Sequence, residues 1–236
     1  MSLKAQARSS DTFLCVAGEM FLPVAQGALW WPGERMLVVS DLHLEKGSNF
    51  ASAGQLLPPY DTRATLETVE TLIDAFGPRT VVSLGDSFHD RQAEFRLGAE
   101  AVSRIRRLTA RLEWFWVEGN HDPEPPAYLG GIGANRLERG SIVFRHEPTG
   151  AAGEIAGHLH PVARIAGRGS SLRRKCFVTD GASLILPSLG AFTGGLNVLD
   201  AAITALFRDG AMVFAANGTR VHHIEQKRLR PDRFGL

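Results

Sequence analysis

Cysteine is scarce in this sequence, which has only Cys15 and Cys176 in 236 residues. Two cysteines are too few for a disulfide framework, so a reducing cytosol is the default and we expect a cytoplasmic protein. An excess of either charge is also missing, because 26 Lys and Arg residues oppose 25 Asp and Glu residues. The net charge of +1 excludes a global basic field that would draw the chain onto nucleic acid, so any such attraction must be local.

Long hydrophobic runs are absent as well. The longest uncharged stretch, residues 181–199, contains a proline, an asparagine and several glycines, which is unlike a membrane span. Lys4, Arg8 and Asp11 interrupt the beginning of the chain, so no secretory signal is visible and no membrane partner is expected. The hydrophobic fraction of 44% and the charged fraction of 22% are ordinary for a globular protein. We therefore expect one globular α/β domain covering residues 1–236.

Apolar segments alternate with amphipathic helices in the first half of the chain. Short apolar runs predict strands at residues 36–39, 80–84 and 114–117, and apolar stripes predict helices at 61–76 and about 92–112. From Ser141 onward, the apolar runs are short and separated by turn residues, which predicts strands that include residues 205–207. Strands alternating with helices, followed by strands, indicate two stacked sheets with helices outside.

Metal-binding residue types follow five of the predicted strands. In open α/β sheets, ligand sites form at the carboxyl ends of strands, where these residues stand. A single histidine in such a place is more often packed or hydrogen-bonded, and Gly-Asp and Gly-Asn occur in ordinary turns. The prediction of a metal site therefore rests on the whole series of such residues along the chain. Its members are Asp41, His43, Asp86, Asn120, His146, His158 and His160.

The spacing and chemistry of this set indicate two metal ions. Asp41 and His43 are two residues apart, as are His158 and His160, so each pair points to one side of an extended backbone. Carboxylate, amide and imidazole ligands suit Mn²⁺, Fe or Zn²⁺, and no thiolate demands a soft metal. Seven ligands exceed the needs of one zinc ion, so two ions that share a bridging carboxylate are the natural arrangement.

The same residues resemble the motif series of the calcineurin-like metallophosphoesterases, from about residue 36 to 161. The matching motifs are Asp41-x-His43, Gly85-Asp86, Gly119-Asn120-His121-Asp122, His146 and Gly157-His158-x-His160. The resemblance implies a four-layer α-β-β-α sandwich. It also implies one metal on Asp41, His43, Asp86 and His160, and another on Asp86, Asn120, His146 and His158, with Asp86 bridging. By this resemblance, His121 is not a ligand and faces the substrate phosphate.

The chemistry of such a site is phosphoester hydrolysis. Two cations ~3.5–4 Å apart hold the phosphoryl group for in-line displacement and generate hydroxide at neutral pH. His121 is placed to donate a proton to the leaving oxygen or to stabilise the charged transition state. We therefore predict a hydrolase whose catalytic residues are His121, Asp86 and Asn120.

Further segments resemble one bacterial branch of the family, the DNA ligase-associated DNA damage response endonucleases. These segments are residues 41–47, 55–62, 85–90, 157–161 and the stretch from Asp180 to Val198. The branch implies phosphodiester cleavage in DNA, with Mn²⁺ as cofactor, and a ligase, a helicase and an exonuclease of DNA repair as partners. A protein phosphatase is disfavoured because the Asp-Arg-Gly segment is missing after Gly85 and because Asp122 stands where those enzymes have Glu.

A local basic cluster gives the DNA hypothesis partial support. A phosphate-binding patch and a solvated basic loop are equal alternatives for its members, Arg164, Arg168, Arg173, Arg174 and Lys175. We predict substrate contacts at His89, Arg164 and Arg168. Base stacking by Trp30, Trp31 or Tyr60 is less favoured than packing of these side chains.

Three functions therefore stay open. The first is a Mn²⁺-dependent endonuclease that cuts single-stranded or flapped DNA. The second is a phosphodiesterase or phosphatase of a small nucleotide-like substrate, which the near-neutral charge favours. The third is a non-catalytic scaffold on the same fold, which would be expected to lack ligands that are present here.

Overall fold

A computed structural model describes residues 12–52, 60–124, 126–167 and 169–232 of the chain. Two sheets of seven and eight strands pack face to face, with helices on their outer surfaces. This arrangement confirms the predicted four-layer α-β-β-α sandwich. Lys4, Arg8, Asp11, Arg168 and residues 55–59 of the branch motif lie outside the described residues.

The first sheet follows the order of the chain. Its strands are β1 (Leu14–Val16), β2 (Glu19–Pro23), β3 (Leu29–Trp31), β4 (Met36–Val39), β5 (Thr80–Leu84), β6 (Glu113–Val117) and β7 (Ile132–Ala134). Neighbours from β1 to β4 are antiparallel, and those from β4 to β7 are parallel. The carboxyl ends of β4, β5 and β6 therefore meet at one edge of the sheet.

Four helices accompany this sheet, namely α1 (Lys46–Ser52), α2 (Asp61–Phe76), α3 (Ala93–Arg96) and α4 (Ala99–Arg111). Helix α2 buries Leu66, Val69 and Leu72 in an apolar cluster that also contains Leu37 and Val81 of the sheet. Apolar side chains thus pack on both faces of the parallel strands, as the continuous apolar runs of these strands predict.

The second sheet is mixed. Its strands are β8 (Leu137–Arg139), β9 (Ile142–Arg145), β10 (Glu154–Ala156), β11 (Val162–Ala166), β12 (Ser171–Thr179), β13 (Leu184–Ile185), β14 (Met212–Asn217) and β15 (Arg220–Ile224). The order is β15-β14-β12-β13-β10-β9-β8, and β11 pairs with β12 as a hairpin. Because β9 and β10 are parallel, their carboxyl ends also lie side by side.

The core between the sheets combines aliphatic and aromatic side chains. Phe21 and Trp31 of the first sheet lie in one buried cluster with Phe144 and Phe177 of the second. A smaller cluster on the outer side of the second sheet contains Ile203 of helix α5 (Ala201–Thr204). Burial of such side chains contributes roughly 1.5–3 kcal/mol each to stability.

Two predicted elements are wrong. The helix predicted over residues 92–112 is interrupted between Arg96 and Ala99, where Gly98 has an extended backbone because glycine is a poor helix former. The strand predicted at residues 205–207 is instead a series of hydrogen-bonded turns directly after helix α5. The Asp200 side chain accepts a hydrogen bond from the N–H of Ala202 there, and this cap favours helical turns over a strand.

Within the described ranges, none of the helices has both the length and the apolar character that a membrane crossing requires.

Candidate metal centre

Five of the predicted ligands have left-handed backbone conformations. The φ angles are +53° at Asp41, +44° at His43, +46° at Asp86, +67° at His158 and +44° at His160. Residues other than glycine rarely adopt this conformation, and such strain is found mainly where the surrounding structure holds a functional residue in place. The chain therefore turns sharply after β4, β5 and β10 and directs these side chains into the cleft between the two sheets.

The first group of ligands combines Asp41, His43 and His160. Asp41 Oδ1 lies 3.0 Å from His160 Nε2, and the Nε2 atoms of His43 and His160 are 3.3 Å apart. The ligand atoms of all three residues lie within 4.8 Å of one another, and Asp41 and His43 are buried. Asp41 Oδ1 is buried without a hydrogen bond of good geometry, so it has a lone pair available for a cation.

The second group converges on His146 Nε2. This atom lies 2.9 Å from Asn120 Oδ1, 3.1 Å from His158 Nδ1 and 3.4 Å from Asp86 Oδ1. The other ring nitrogen, Nδ1, lies 2.9 Å from the carbonyl oxygen of Leu84. If Nδ1 donates to that carbonyl, as the contact requires, Nε2 is the ligand atom of His146.

Asp86 faces both groups. Its Oδ1 belongs to the second group, whereas its Oδ2 lies 3.9 Å from His43 Nε2 in the first. Atoms that bind one ion at about 2.1 Å in tetrahedral or octahedral geometry lie roughly 3.0–3.4 Å from each other. Most of the contacts within the two groups have such lengths, and the donors are oxygen and imidazole nitrogen. The residues present therefore fit two divalent cations.

The protonation of the cluster also suits cations. Burial would raise the pKa of Asp86, but the contact with His146 outweighs it and lowers the pKa to about 2. Burial lowers the pKa of His43 to about 3. Burial opposes protonation of His146 too, but Asp86 and Asp41 raise its pKa to about 9. At neutral pH, Asp86 is thus ionised and His43 neutral, whereas a cation at His146 would displace a proton.

Two glycines allow the ligand segments to approach each other. A Cβ atom on Gly119 would lie 2.2 Å from the backbone nitrogen of Asp86. A Cβ atom on Gly157 would lie 1.8 Å from Ser40 Oγ and 2.6 Å from Asp41 Oδ2. Because Gly157 follows a strand of the second sheet and Asp41 a strand of the first, any larger residue would separate the two halves of the site.

His121 and His89 lie beside the ligands. The N–H of His121 donates to Asp86 Oδ1 at 2.9 Å, and its exposed Nε2 lies 3.9 Å from Asp86 Oδ2. The His121 ring stacks on His89 with 5.7 Å between centroids, and the His89 ring also meets that of His43 edge-on. His89 Nδ1 is buried without a hydrogen-bond partner. Both rings are thus placed next to the predicted metal ligands, and the His121 side chain is the more exposed of the two.

Asp122 has a structural contact that the sequence did not reveal. Its Oδ2 accepts hydrogen bonds from the N–H groups of Ser87 at 2.8 Å and Phe88 at 3.1 Å. These bonds hold the segment between Asp86 and His89. Burial raises the pKa of Asp122 to about 7. The motif Gly119–Asp122 was visible in the sequence, but only the folded chain shows which loop the last residue supports.

The basic cluster lies on the β11–β12 hairpin, so its description as a loop is wrong for the members that the structure describes. Arg164 donates from Nε to Ser171 Oγ at 2.8 Å and from Nη1 to Pro231 O at 3.3 Å. Arg173 forms an ion pair with Asp232, whereas Lys175 is directed inward. The cluster therefore divides into outer arginines and one inner lysine.

The aromatic residues considered for stacking are placed differently from one another. Trp31 is buried in the core between the sheets, and Trp30 packs against Phe76 with 5.3 Å between centroids. Tyr60 is 64% exposed. Packing, the favoured interpretation, is thus correct for both tryptophans.

Comparison with known proteins identifies a family and a nuclease. The model of the family described as calcineurin-like phosphoesterase matches residues 34–184, more than half of the chain. The crystal structure of the nuclease MPE of Pseudomonas putida is similar with a TM-score of 0.71 and 28% identity, covering 91% of this chain and 100% of the nuclease. The phosphoesterase Yfce of E. coli is much less similar, with 16% identity and a TM-score of 0.40 over 80% of this chain and 97% of Yfce. The search of curated proteins found no match.

Proposed function

The chain belongs to the calcineurin-like phosphoesterase family, and from this premise we propose that it is a two-metal phosphodiesterase that acts as a DNA endonuclease. One observation carries the proposal. Two groups of candidate ligands with oxygen and imidazole donors lie side by side with Asp86 facing both, in a chain whose fold matches a nuclease along almost its full length.

The proposed ligand sets follow the two groups. One metal is held by Asp41, His43, Asp86 and His160, and the other by Asp86, Asn120, His146 and His158. Mn²⁺ is the proposed cofactor, and Fe or Zn²⁺ would accept the same donors. Two bound cations would supply a hydroxide nucleophile at neutral pH and neutralise the charge of the phosphate.

The chain's own residues orient the substrate and transfer a proton. Asn120 and Asp86 hold the second ligand group together through their contacts with His146. His121 is oriented by the bond from its backbone N–H to Asp86, and its side chain is 42% exposed. In this position, His121 would donate a proton to the leaving oxygen or stabilise the charged transition state.

Three further residues are proposed to contact the substrate. His89 stacks on His121 and meets the ring of His43 edge-on, and this position beside the ligand groups supports a contact near the scissile phosphate. Arg164 uses two of its N–H groups within the protein, so other donors of its guanidinium are available to a phosphate. Arg168 is proposed on the basis of the sequence alone.

The biological setting that we propose follows from the resemblance to the ligase-associated branch. The substrate would be single-stranded or flapped DNA. The chain would act in DNA repair in the cytoplasm, and its partners would be a ligase, a helicase and an exonuclease. Co-purification of the chain with each of these proteins tests the partners separately from the activity.

The activity is tested with closed circular single-stranded DNA, Mn²⁺ and purified protein, beside the variant Asn120→Ala. A circle has no ends, so its fragmentation requires an endonuclease. We expect the wild type to fragment the circle and Asn120→Ala to leave it intact. Metal analysis after Mn²⁺ loading should give two ions per chain, and fewer than two would contradict the dinuclear site.

A small phosphodiester is the second candidate substrate, and the net charge of +1 favours it. If the circle survives while a small chromogenic diester is hydrolysed, the site is correct and the DNA substrate is wrong. If neither substrate reacts with several metals, the catalytic proposal fails and the scaffold takes its place.

A further inference from the structure

A loop of the second half of the chain packs against the segments that carry predicted metal ligands. We call residues 188–195 the crossing loop. The N–H groups of Leu189 and Gly190 donate to the carbonyl oxygens of Ser40 at 2.8 Å and Asp41 at 3.1 Å. At the other end, a Cβ atom on Gly195 would lie only 2.3 Å from the carbonyl oxygen of His160. Both ends of the crossing loop therefore contact the backbone of predicted metal ligands.

Two cations of strand β12 hold the crossing loop at its ends. Lys175 Nζ donates to the carbonyl oxygens of Ser188 at 2.7 Å and Gly190 at 3.2 Å. Arg173 Nη2 donates to the carbonyl oxygen of Gly195 at 2.5 Å. Because positions two apart on a strand face the same side, one face of β12 supports the whole loop.

The middle of the crossing loop is held as well. Thr193 Oγ1 donates to the carbonyl oxygen of Gly190 at 2.8 Å, and the N–H of Ala191 donates to Thr65 Oγ1 at 3.1 Å. Phe192 lies between these two contacts. Its backbone position is thus determined by hydrogen bonds on both sides.

Phe192 combines a strained backbone with an exposed ring. Its φ angle is +58°, a conformation that bulky residues rarely adopt, and the residue is 50% exposed. A strained residue persists only when its surroundings impose it, and such residues are concentrated at functional sites. Neither burial in the core nor a turn that needs glycine explains an aromatic residue here.

Phe192 lies in a segment that is held next to predicted metal ligands on both sides, at Gly190 against the backbone of Asp41 and at Gly195 against the backbone of His160. Phe192 follows Gly190 by two residues, so their Cα atoms are within about 8 Å, at about 3.8 Å per step. The N–H of Gly190 itself donates a hydrogen bond to the backbone carbonyl oxygen of Asp41. An exposed aromatic ring next to a phosphate-binding centre is the feature on which proteins stack the bases of single-stranded nucleic acid.

We propose that Phe192 stacks on a nucleobase beside the scissile phosphate of single-stranded DNA. The inference rests on the proposed function, because it concerns the substrate of the same site. A base in a duplex is already stacked on its neighbours, whereas an unpaired base has a face available for the ring. Phe192 therefore selects unpaired DNA, and it contributes to binding and not to the chemical step.

The test compares Phe192→Asn with Phe192→Tyr. Asparagine tolerates the left-handed conformation but removes the ring, and tyrosine keeps the ring. We expect Phe192→Asn to raise the KM for a single-stranded oligonucleotide about 5- to 150-fold with kcat unchanged. Phe192→Tyr should restore the KM. An oligonucleotide with abasic residues around the cleavage site should show the same KM with wild type and Phe192→Asn.

Thermal unfolding separates this role from a structural one. Because the backbone strain is relieved, Phe192→Asn should unfold at the same temperature as the wild type or higher. A lower unfolding temperature, or an unchanged KM for the intact oligonucleotide, overturns the inference.

Binding distinguishes failure of the inference from failure of the proposed function. If the wild type does not cut DNA, the affinity of a labelled single-stranded oligonucleotide for the Mn²⁺-loaded protein is measured by fluorescence anisotropy. Weaker binding by Phe192→Asn than by the wild type keeps the stacking role while the endonuclease proposal fails. Equal binding, or no binding by either protein, overturns the stacking role as well.

Discussion

The two sheets contribute differently to the proposed metal centre. The first sheet supplies every proposed oxygen ligand and one imidazole, whereas the second supplies imidazoles alone. In the first sheet, the residues follow the parallel strands β4, β5 and β6, and they are Asp41, His43, Asp86 and Asn120. In the second sheet, they follow β9 and β10, and they are His146, His158 and His160.

The difference shows that neither sheet holds a complete site. His160 of the second sheet joins Asp41 and His43 of the first, and His146 and His158 of the second sheet join Asp86. Each group of ligands thus forms only when the sheets are packed against each other. Metal binding and the packing of the sandwich should therefore be thermodynamically linked.

The largest effect is expected at Asp86, which faces both groups. Replacement by alanine removes a ligand from each, so activity on a phosphodiester should fall by at least about 10³-fold. Metal analysis of the Mn²⁺-loaded variant should give fewer than two ions per chain. Two retained ions would show that Asp86 does not bridge.

Glu154 provides a matched control for Asp86. This buried carboxylate accepts hydrogen bonds from the N–H groups of Thr149 at 2.8 Å and Gly150 at 2.9 Å, away from the ligand groups. Glu154→Gln should lower the free energy of unfolding by about 1–3 kcal/mol and leave the metal content unchanged.

A second way to break the site is to separate its halves at Gly157. The added methyl group of Gly157→Ala would overlap Ser40 of the first sheet, so the sheets must move apart locally. We expect a loss of about 1–3 kcal/mol in stability and about 10²-fold in kcat. Urea unfolding and steady-state kinetics measure both effects.

Gly133 serves as the control for Gly157. A Cβ atom on Gly133 would meet nothing within 4 Å, and its φ angle is not positive. Gly133→Ala should therefore keep wild-type activity. If both alanine variants behave alike, close contact at Gly157 is not what holds the halves together.

Removal of metal tests the link between binding and packing. At Mn²⁺ concentrations about 100-fold above Kd, binding adds about 2.7 kcal/mol of stability, so a chelator should lower Tm by about 5–10 °C. Calorimetry of the wild type with and without chelator measures this shift. The shift should be smaller in Asp86→Ala, and an equal shift in both proteins would argue against binding between the sheets.

The smallest effect is expected at Arg164, on the second sheet but outside the ligand groups. Arg164→Ala should weaken DNA binding a few-fold and reduce the slope of log affinity against log salt by about 1, because one phosphate contact is lost. Arg63 is the control, since it is exposed on α2 and paired with Glu67. An unchanged salt slope for Arg164→Ala would show that Arg164 supports only the hairpin.

The sequence was sufficient to predict the sandwich and to name the residues that gather at the ligand edge. Both depend on local patterns, namely apolar runs for strands and polar motifs directly after them. The same reasoning failed at residues 205–207, where an apolar run forms the turns that follow a capped helix. It also merged α3 and α4, because the apolar stripe continues across the break at Gly98.

No local sequence pattern predicted the contacts of the crossing loop. Lys175 belonged to a basic cluster in the sequence, but its ammonium group is turned toward the carbonyl oxygens of residues 188–190. Trp31 is buried and Trp30 packs against Phe76, whereas Phe192, which the sequence did not single out for stacking, is exposed two residues after the contact of Gly190 with the backbone of Asp41. Composition cannot distinguish these residues, because burial depends on which segments meet.

The sequence by itself determined which side chains are able to bind metal, since carboxylate, amide and imidazole groups at strand ends are a matter of residue type and spacing. Only the tertiary structure decided which of them share a group, because each group takes ligands from both sheets. It also decided the backbone conformation of Phe192, since the N–H of Ala191 donates to the distant Thr65 and the hydroxyl of Thr193 donates to Gly190, and these bonds hold the loop on both sides of Phe192. The local sequence pattern determines which metal-binding groups are present, and long-range packing determines where they lie.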